Sequence, residues 1–225
     1  MSDDEPGLRE RKKVKTRLAI SRIATELFNE RGFDAVTVAE VAAAAEVSVA
    51  TVFNYFATKE ELFYDREADI IAAHCRYVRE RAPGESILAA LRRALHAAID
   101  AAFRTDIDPS VPRIVSGDVR FERTLHASPA LRARVRLALD KTEAAVAQAI
   151  ADEVRAAKDD PTPRAIAAMV LAIERLLMAD ARAVILRGDA SAAVKTAAKR
   201  KLRRTCDRAF DLLEHGVRSY GTIRR

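Results

Sequence analysis

A chain of 225 residues, 49% hydrophobic and 32% charged, can bury a substantial core and has room for one small and one larger domain. No apolar run approaches the roughly eighteen residues of a membrane span, MSDDEPGLRERKK lacks the apolar stretch of a signal peptide, and Cys75 and Cys206 form no metal or redox spacing, so a cytoplasmic protein with reduced thiols and no membrane contact is expected. The net charge of +6 is a poor guide to partners, because residues 1–64 carry nine basic and eleven acidic side chains whereas residues 191–225 carry ten and three.

The first ten or so residues read as a flexible tail. Arg9, Arg11, Lys12, Lys13, Lys15 and Arg17 then crowd the entrance of the first helix against Glu10 alone, an arm suited to tracking phosphates. From Arg17 to Arg31, Leu18, Ile20, Ile23, Ala24, Leu27 and Phe28 recur largely at three- and four-residue spacing, and Gly32 is a common residue just past a helix end. Thr37 with Glu40 fits a capping box opening a second helix, along which Val38, Val41, Ala42 and Ala45 keep helical spacing. Glu46 and Val47 interrupt it, and Ser48 is a good N-cap for a third short helix through Thr51 to Tyr55. Thr58 and Glu61 repeat the capping signature, and the helix they open is expected to run from Lys59 to about Arg81, stopping at Pro83 and Gly84.

Glu85 to Arg104 continues the helical pattern through Ile87, Leu88, Leu91, Leu95, Ile99 and Phe103, and DIDPSVP breaks it. A short helix through Val119 and Leu125 follows. Ser128 and Pro129 open a long helix to about Ala157, and Thr162 with Pro163 repeats that start signal after the loop KDDPTPR. The helix from Thr162 to Arg187 and the one from Ser191 onward each carry an apolar stripe that needs a partner. No segment reads as a strand. The expected fold is all-α, about nine helices.

Two short helices joined by a tight turn and followed by an aromatic cluster are the sequence form of a helix-turn-helix, here at 37–56. The ordered set LF-x-E-x-GF, T-V-x-E-V-A, V-S-x-x-T, Y-F and K-E-x-L, within LAISRIATELFNERGFDAVTVAEVAAAAEVSVATVFNYFATKEELF, closely resembles the N-terminal domain of TetR-family transcriptional regulators. The resemblance implies three parts: a flexible basic arm at 1–13, a DNA-binding domain at 14–74, and an effector-binding and dimerisation domain at 75–225. A recognition helix puts its N-terminal residues on base edges, which makes Val49, Ala50, Thr51, Phe53 and Asn54 the candidate readers. Asn54 could pair with adenine, while Ala50 and the Thr51 methyl could pack on thymine methyls. Ala39 stands where some relatives carry a base-reading polar residue. Thr37, Ser48, Thr51, Tyr55 and Lys59 fall on positions that commonly hold phosphate oxygens in the family. Two departures stand out: Glu46 replaces the glycine usual in the turn, where a left-handed conformation costs a non-glycine residue about 1 kcal/mol, and Phe53 replaces a frequent tyrosine.

The family further implies a homodimer on a pseudo-palindromic double-stranded operator, released by a small apolar effector. The segment GDVRFERTLHASPALRARV, together with FNYFATKEELF, is similar to a subgroup that includes the mycofactocin-cluster regulator and carries an acyl-CoA-like ligand domain, which points to long-chain acyl-CoA or a related apolar effector, with Phe103, Phe121 and Met169 as candidate lining residues. Val170, Ile173, Leu177, Leu202 and Leu213 on the last two helices are the candidate dimerisation residues. Catalysis finds no support: His74, His96, His126 and His215 are scattered, Glu122 and His126 alone do not close a metal site, and no phosphate loop or nucleophile motif occurs. No enzyme activity, cofactor or metal is expected. The competing class is a helical regulator that has lost its DNA and acts by protein interaction.

Overall fold

The computed structural model describes residues 7–103, 118–188 and 191–216. The chain folds into α1 (Leu8–Arg31), α2 (Val38–Ala44), α3 (Val49–Tyr55), α4 (Lys59–Phe63), α5 (Glu67–Arg79), α6 (Ile87–Ala102), α7 (Val119–Ala127), α8 (Pro129–Val154), α9 (Thr162–Ile185) and α10 (Ala192–His215). There is no strand among the described residues. The DIDPSVP segment lies outside them.

Contacts divide the chain into two compact units. The first runs to Asp65 and takes in Arg120–Arg136, and the second comprises Arg66–Val119 and the chain from Leu137 onward. α7 and the first turns of α8 thus pack with the N-terminal helices, although more than fifty residues separate them in sequence. The first unit has an aromatic core. Phe28, Phe33, Phe56, Phe63 and Phe121 are buried with Ile20, Val36, Val41, Val52, Leu62, Leu125 and Leu131. The Phe63 and Phe121 rings stack at 4.3 Å, and the Phe28 and Phe33 rings lie tilted at 5.0 Å. Polar bonds line its edge: Thr124 donates to the Asn29 side chain at 2.8 Å, and Ser128 donates to Asp34 at 3.1 Å.

The second unit is built from longer helices and an aliphatic core. Leu91, Leu95 and Ile99 of α6, Val146 and Ile150 of α8, Val170, Leu171 and Leu177 of α9, and Leu202 and Phe210 of α10 meet there. Ion pairs fasten its edges: Arg92 of α6 reaches Asp207 and Asp211 of α10, Asp100 takes both Lys199 and Arg203, and Arg81 holds Glu153.

Three sequence expectations change. The first helix starts at Leu8, not Arg17, so residues 8–13 of the expected flexible arm are helical; LRERKKVKT has no apolar period but contains no breaker either, and its Leu, Arg, Glu and Lys residues are good helix formers. The expected helix from Lys59 to Arg81 is two helices, interrupted at Tyr64 to Arg66, which raises the described number to ten. The Tyr64 backbone leaves the helical region at φ −113° and ψ 66°, its ring is buried, and the Asp65 carbonyl accepts from Arg17 at 3.1 Å instead of continuing a helical ladder. Finally, Val170, Ile173, Leu177 and Leu202 are buried within the chain itself, and Leu213 is packed against the same core. Periodicity finds the apolar stripe but not what it faces: the stripe that α9 shows to solvent is Ala165, Met169, Ala172, Leu176, Ala179 and Ala183.

Candidate nucleic-acid interface

The first unit holds its short helices by their ends. The Thr37 hydroxyl accepts from the Glu40 amide at 3.2 Å while the Glu40 carboxylate accepts from the Thr37 amide at 2.8 Å, closing the expected capping box at the start of α2. Arg31 joins from the end of α1, donating to Glu40 at 2.6 Å. The Thr37 amide, with the Arg31 guanidinium beside it, holds the Glu40 carboxyl down to about 2. A seven-residue helix is too short to persist alone, so these ties and its buried Val41 and Ala42 fix it in place.

Glu46 then turns the chain with φ at 53°, in the left-handed region. Its amide donates to Ala43 at 3.1 Å and the Val47 amide to Ala42 at 3.0 Å, the paired bonds of a Schellman end. The geometry glycine would favour is therefore adopted by glutamate, on an exposed turn.

Ser48 starts α3 as expected, accepting from the Thr51 amide at 2.9 Å, with the two hydroxyls 2.8 Å apart. Val52 and the C-terminal Phe56 are buried and anchor the helix, while Tyr55 is half-buried against the same core. The opposite face is open: Val49, Ala50, Phe53 and Asn54 are exposed and Thr51 half-exposed. Phe53 is 51% exposed, an unusual position for a phenylalanine with no core to fill. The sequence-predicted readers thus share one surface, with the Ser48 hydroxyl at its N-terminal edge and the exposed Ala39 on α2.

At α4 the second expected capping box is altered. Thr58 accepts from the Glu61 amide at 3.3 Å, but the Glu61 carboxylate accepts from Ala57 at 2.8 Å, one residue earlier than the box requires. The Lys59 ammonium lies over the Phe33 ring, 4.3 Å from its centroid, and 5.7 Å from that of Phe28. Nothing beside Lys59 in the sequence signals these partners, because the rings that hold it are far from it along the chain.

The sequence groups Arg17 with the phosphate-tracking cations, and the structure gives it another task. Its guanidinium donates to the Tyr55 and Asp65 carbonyls and lies over the Phe56 ring, 4.3 Å from the centroid. Arg9, Lys12, Lys13 and Lys15 remain on exposed turns of α1.

The candidate ligand residues each pack in different surroundings. Phe103 caps the end of α6 against the aliphatic core, Phe121 is in the aromatic core of the first unit, and Met169 is 43% exposed on α9. Their shared apolar character in sequence reflects three different packing roles.

A compact unit that presents the open face of a short capped helix after a tight turn is the geometry of a major-groove reader. Residues 20–65 match the family model described as bacterial regulatory proteins, tetR family. Over 175 residues, 76% of this chain and 75% of the relative, the sequence is 31% identical to the HTH-type transcriptional regulator TcmR of Streptomyces glaucescens. This chain belongs to the TetR family. A further match is 47% identical over 49 residues, 22% of this chain and 24% of the relative, to the HTH-type transcriptional regulator LuxR of Vibrio harveyi. Native NalD of Pseudomonas aeruginosa, the secondary repressor of the MexAB-OprM multidrug efflux pump, shares the fold at a TM-score of 0.57 and 21% identity, over 87% of this chain and 96% of that one. As a TetR-family member the chain is a DNA-binding transcriptional regulator, and the relatives that it matches are regulators. No described helix is long and apolar enough to cross a membrane.

Proposed function

We propose that this chain is a cytoplasmic, homodimeric repressor, without catalytic activity of its own, that reads a pseudo-palindromic operator through the exposed face of α3 and leaves it when a small apolar effector binds the part of the chain that follows residue 74. The open surface of Val49, Ala50, Phe53 and Asn54 carries the reading. Asn54 reads adenine, the apolar members read thymine methyls, and Thr37, Ser48, Thr51, Tyr55 and Lys59 hold phosphates on either side. Ala39 adds a methyl contact.

The dimer surface is assigned to the exposed stripe of Ala165, Met169, Ala172, Leu176, Ala179 and Ala183, with Leu212 of α10 also exposed. Small residues at regular spacing permit close helix approach, and a self-complementary face suits two-fold symmetry. Two recognition helices at fixed spacing then match half-sites about one helical turn apart.

For the effector we propose the long-chain acyl-CoA class, on the likeness of GDVRFERTLHASPALRARV to that ligand-domain subgroup. Linkage makes this testable, because an effector that weakens operator binding by some factor must be weakened by operator to the same extent. Footprinting on DNA upstream of the encoding gene, followed by calorimetry of palmitoyl-CoA with and without the protected duplex, tests both halves. Protection of two symmetric half-sites and a weaker acyl-CoA affinity on DNA are expected; an unchanged affinity would end the release mechanism, and absent protection would exclude an operator upstream of the encoding gene.

A further inference from the structure

The C-terminal end of α3 carries carbonyl groups with no partner inside the helix, and a seven-residue helix has few other constraints on its tilt. Arg17, projecting from α1, meets that end. One guanidinium nitrogen donates to the Tyr55 carbonyl, the last of α3, and the other donates at 3.1 Å to the Asp65 carbonyl, just beyond α4. The planar group rests on Phe56, itself buried at the C-cap of α3. A single side chain therefore ties α1, the end of α3 and the segment after α4.

We infer that Arg17 is a positioning residue for DNA recognition: it sets the seat of α3 on α1, and thereby the angle at which Val49, Ala50, Phe53 and Asn54 are presented, and it is not a phosphate ligand. The flat fork matters more than the charge. Two terminal nitrogens are committed to carbonyls and the face to a ring, so the end-on edge of the fork is already in use. A cation at a helix C-terminus also complements the partial negative charge there. Lysine would keep the charge but, as a point donor without a planar face, could not span both carbonyls while stacking.

The inference rests on α3 being the DNA reader, and a control on another residue separates the two ideas. Full-length wild type, Arg17→Lys, Arg17→Met and Lys59→Ala are compared by hydrogen exchange of the free proteins and by salt titration on a random-sequence duplex and a duplex from upstream of the encoding gene. Exchange of the amides from Val52 to Phe56 should quicken in both Arg17 variants while those of α2 keep their protection. Affinity for the upstream duplex should fall about tenfold or more in both, with the salt slope unchanged. Lys59→Ala should instead reduce the slope by about one on either duplex with α3 exchange unaltered. Unaltered exchange in Arg17→Met, a wild-type Arg17→Lys, a slope lowered by one in Arg17→Met, or loss of helical signal in both variants at the assay temperature would each overturn the inference. An unchanged slope in Lys59→Ala would count against the proposed phosphate contacts instead, and the exchange rates of the two Arg17 variants would still decide the role of Arg17.

Discussion

The two units solve the same problem of burial with different means. In the first, helices of five to seven residues are held by ring packing and by bonds at their ends, from Phe63 on Phe121 to the capping box at Thr37. In the second, helices of up to 24 residues lie along aliphatic stripes, and ion pairs such as Arg92 with Asp207 fasten the margins. Short helices have little stability of their own, so their placement depends on a few specific contacts, whereas long helices spread the same task over many interchangeable ones. A surface that must present side chains at a defined angle is thus built where single contacts decide geometry.

The largest break of this contrast should come from Phe63→Ala. Phe63 is fully buried between Phe28, Phe33 and Phe121, and truncation should cost the first unit about 3–5 kcal/mol, abolishing DNA binding while the second unit stays folded. Two separated transitions in thermal unfolding of the variant would show it; a single cooperative loss of both units would contradict the division.

A second pair of substitutions distinguishes interior from surface on one helix. Val170→Asp puts an unpaired charge into the core and should unfold the second unit, whereas Leu176→Asp, on the same exposed stripe as Met169, should leave the monomer folded and dissociate the dimer. Circular dichroism with light scattering separates these outcomes. A folded monomer from Val170→Asp would return the interface to the stripe that periodicity alone suggests.

Much of this is legible in sequence. The capping box at Thr37, the Ser48 cap and the left-handed turn at Glu46 are local signals within a few residues, and each is present in the structure. What sequence conceals is non-local. Arg17 looks like one more cation of a basic run because its carbonyl partners lie 38 and 48 residues away. Phe121 gives no hint in sequence of its stacking on Phe63, which lies far from it along the chain. The start of α9 shows the same limit at short range: Thr162 reads as its cap, but the Asp160 carboxylate accepts from the Thr162 amide at 2.8 Å.

The end contacts of the first unit should respond in smaller steps. Ser48→Ala should lower its stability by about 1 kcal/mol through loss of the cap, and Glu46→Gly should raise it by about the same amount by relieving the left-handed strain. Urea denaturation measures both. A destabilised Glu46→Gly would show that the glutamate contributes more than its backbone costs.

The smallest expected effect sharpens the view of the second unit. His74 has both ring nitrogens against acceptors, the Ile70 carbonyl at 2.8 Å and the Glu174 carboxylate at 2.9 Å. Burial pushes its pKa down, but the bond to Glu174 and the charge of that carboxylate more than offset burial, and the net direction is upward from 6.5. The pair therefore contributes fully below about 6.5, and its contribution is lost as pH rises through the higher folded value. Stability of the second unit should decline over that interval, and His74→Gln should flatten the decline; a profile indifferent to the substitution would show that His74 does not set it.

The central claim is that the open face of α3 reads DNA sequence. Quantitative footprinting of wild type and Asn54→Ala on every single-base variant of the protected upstream site tests it most directly. Asn54→Ala should relax preference at one base pair in each half-site by about 1–3 kcal/mol and leave the others unchanged. A uniform loss across all positions, or no change at any, would contradict it.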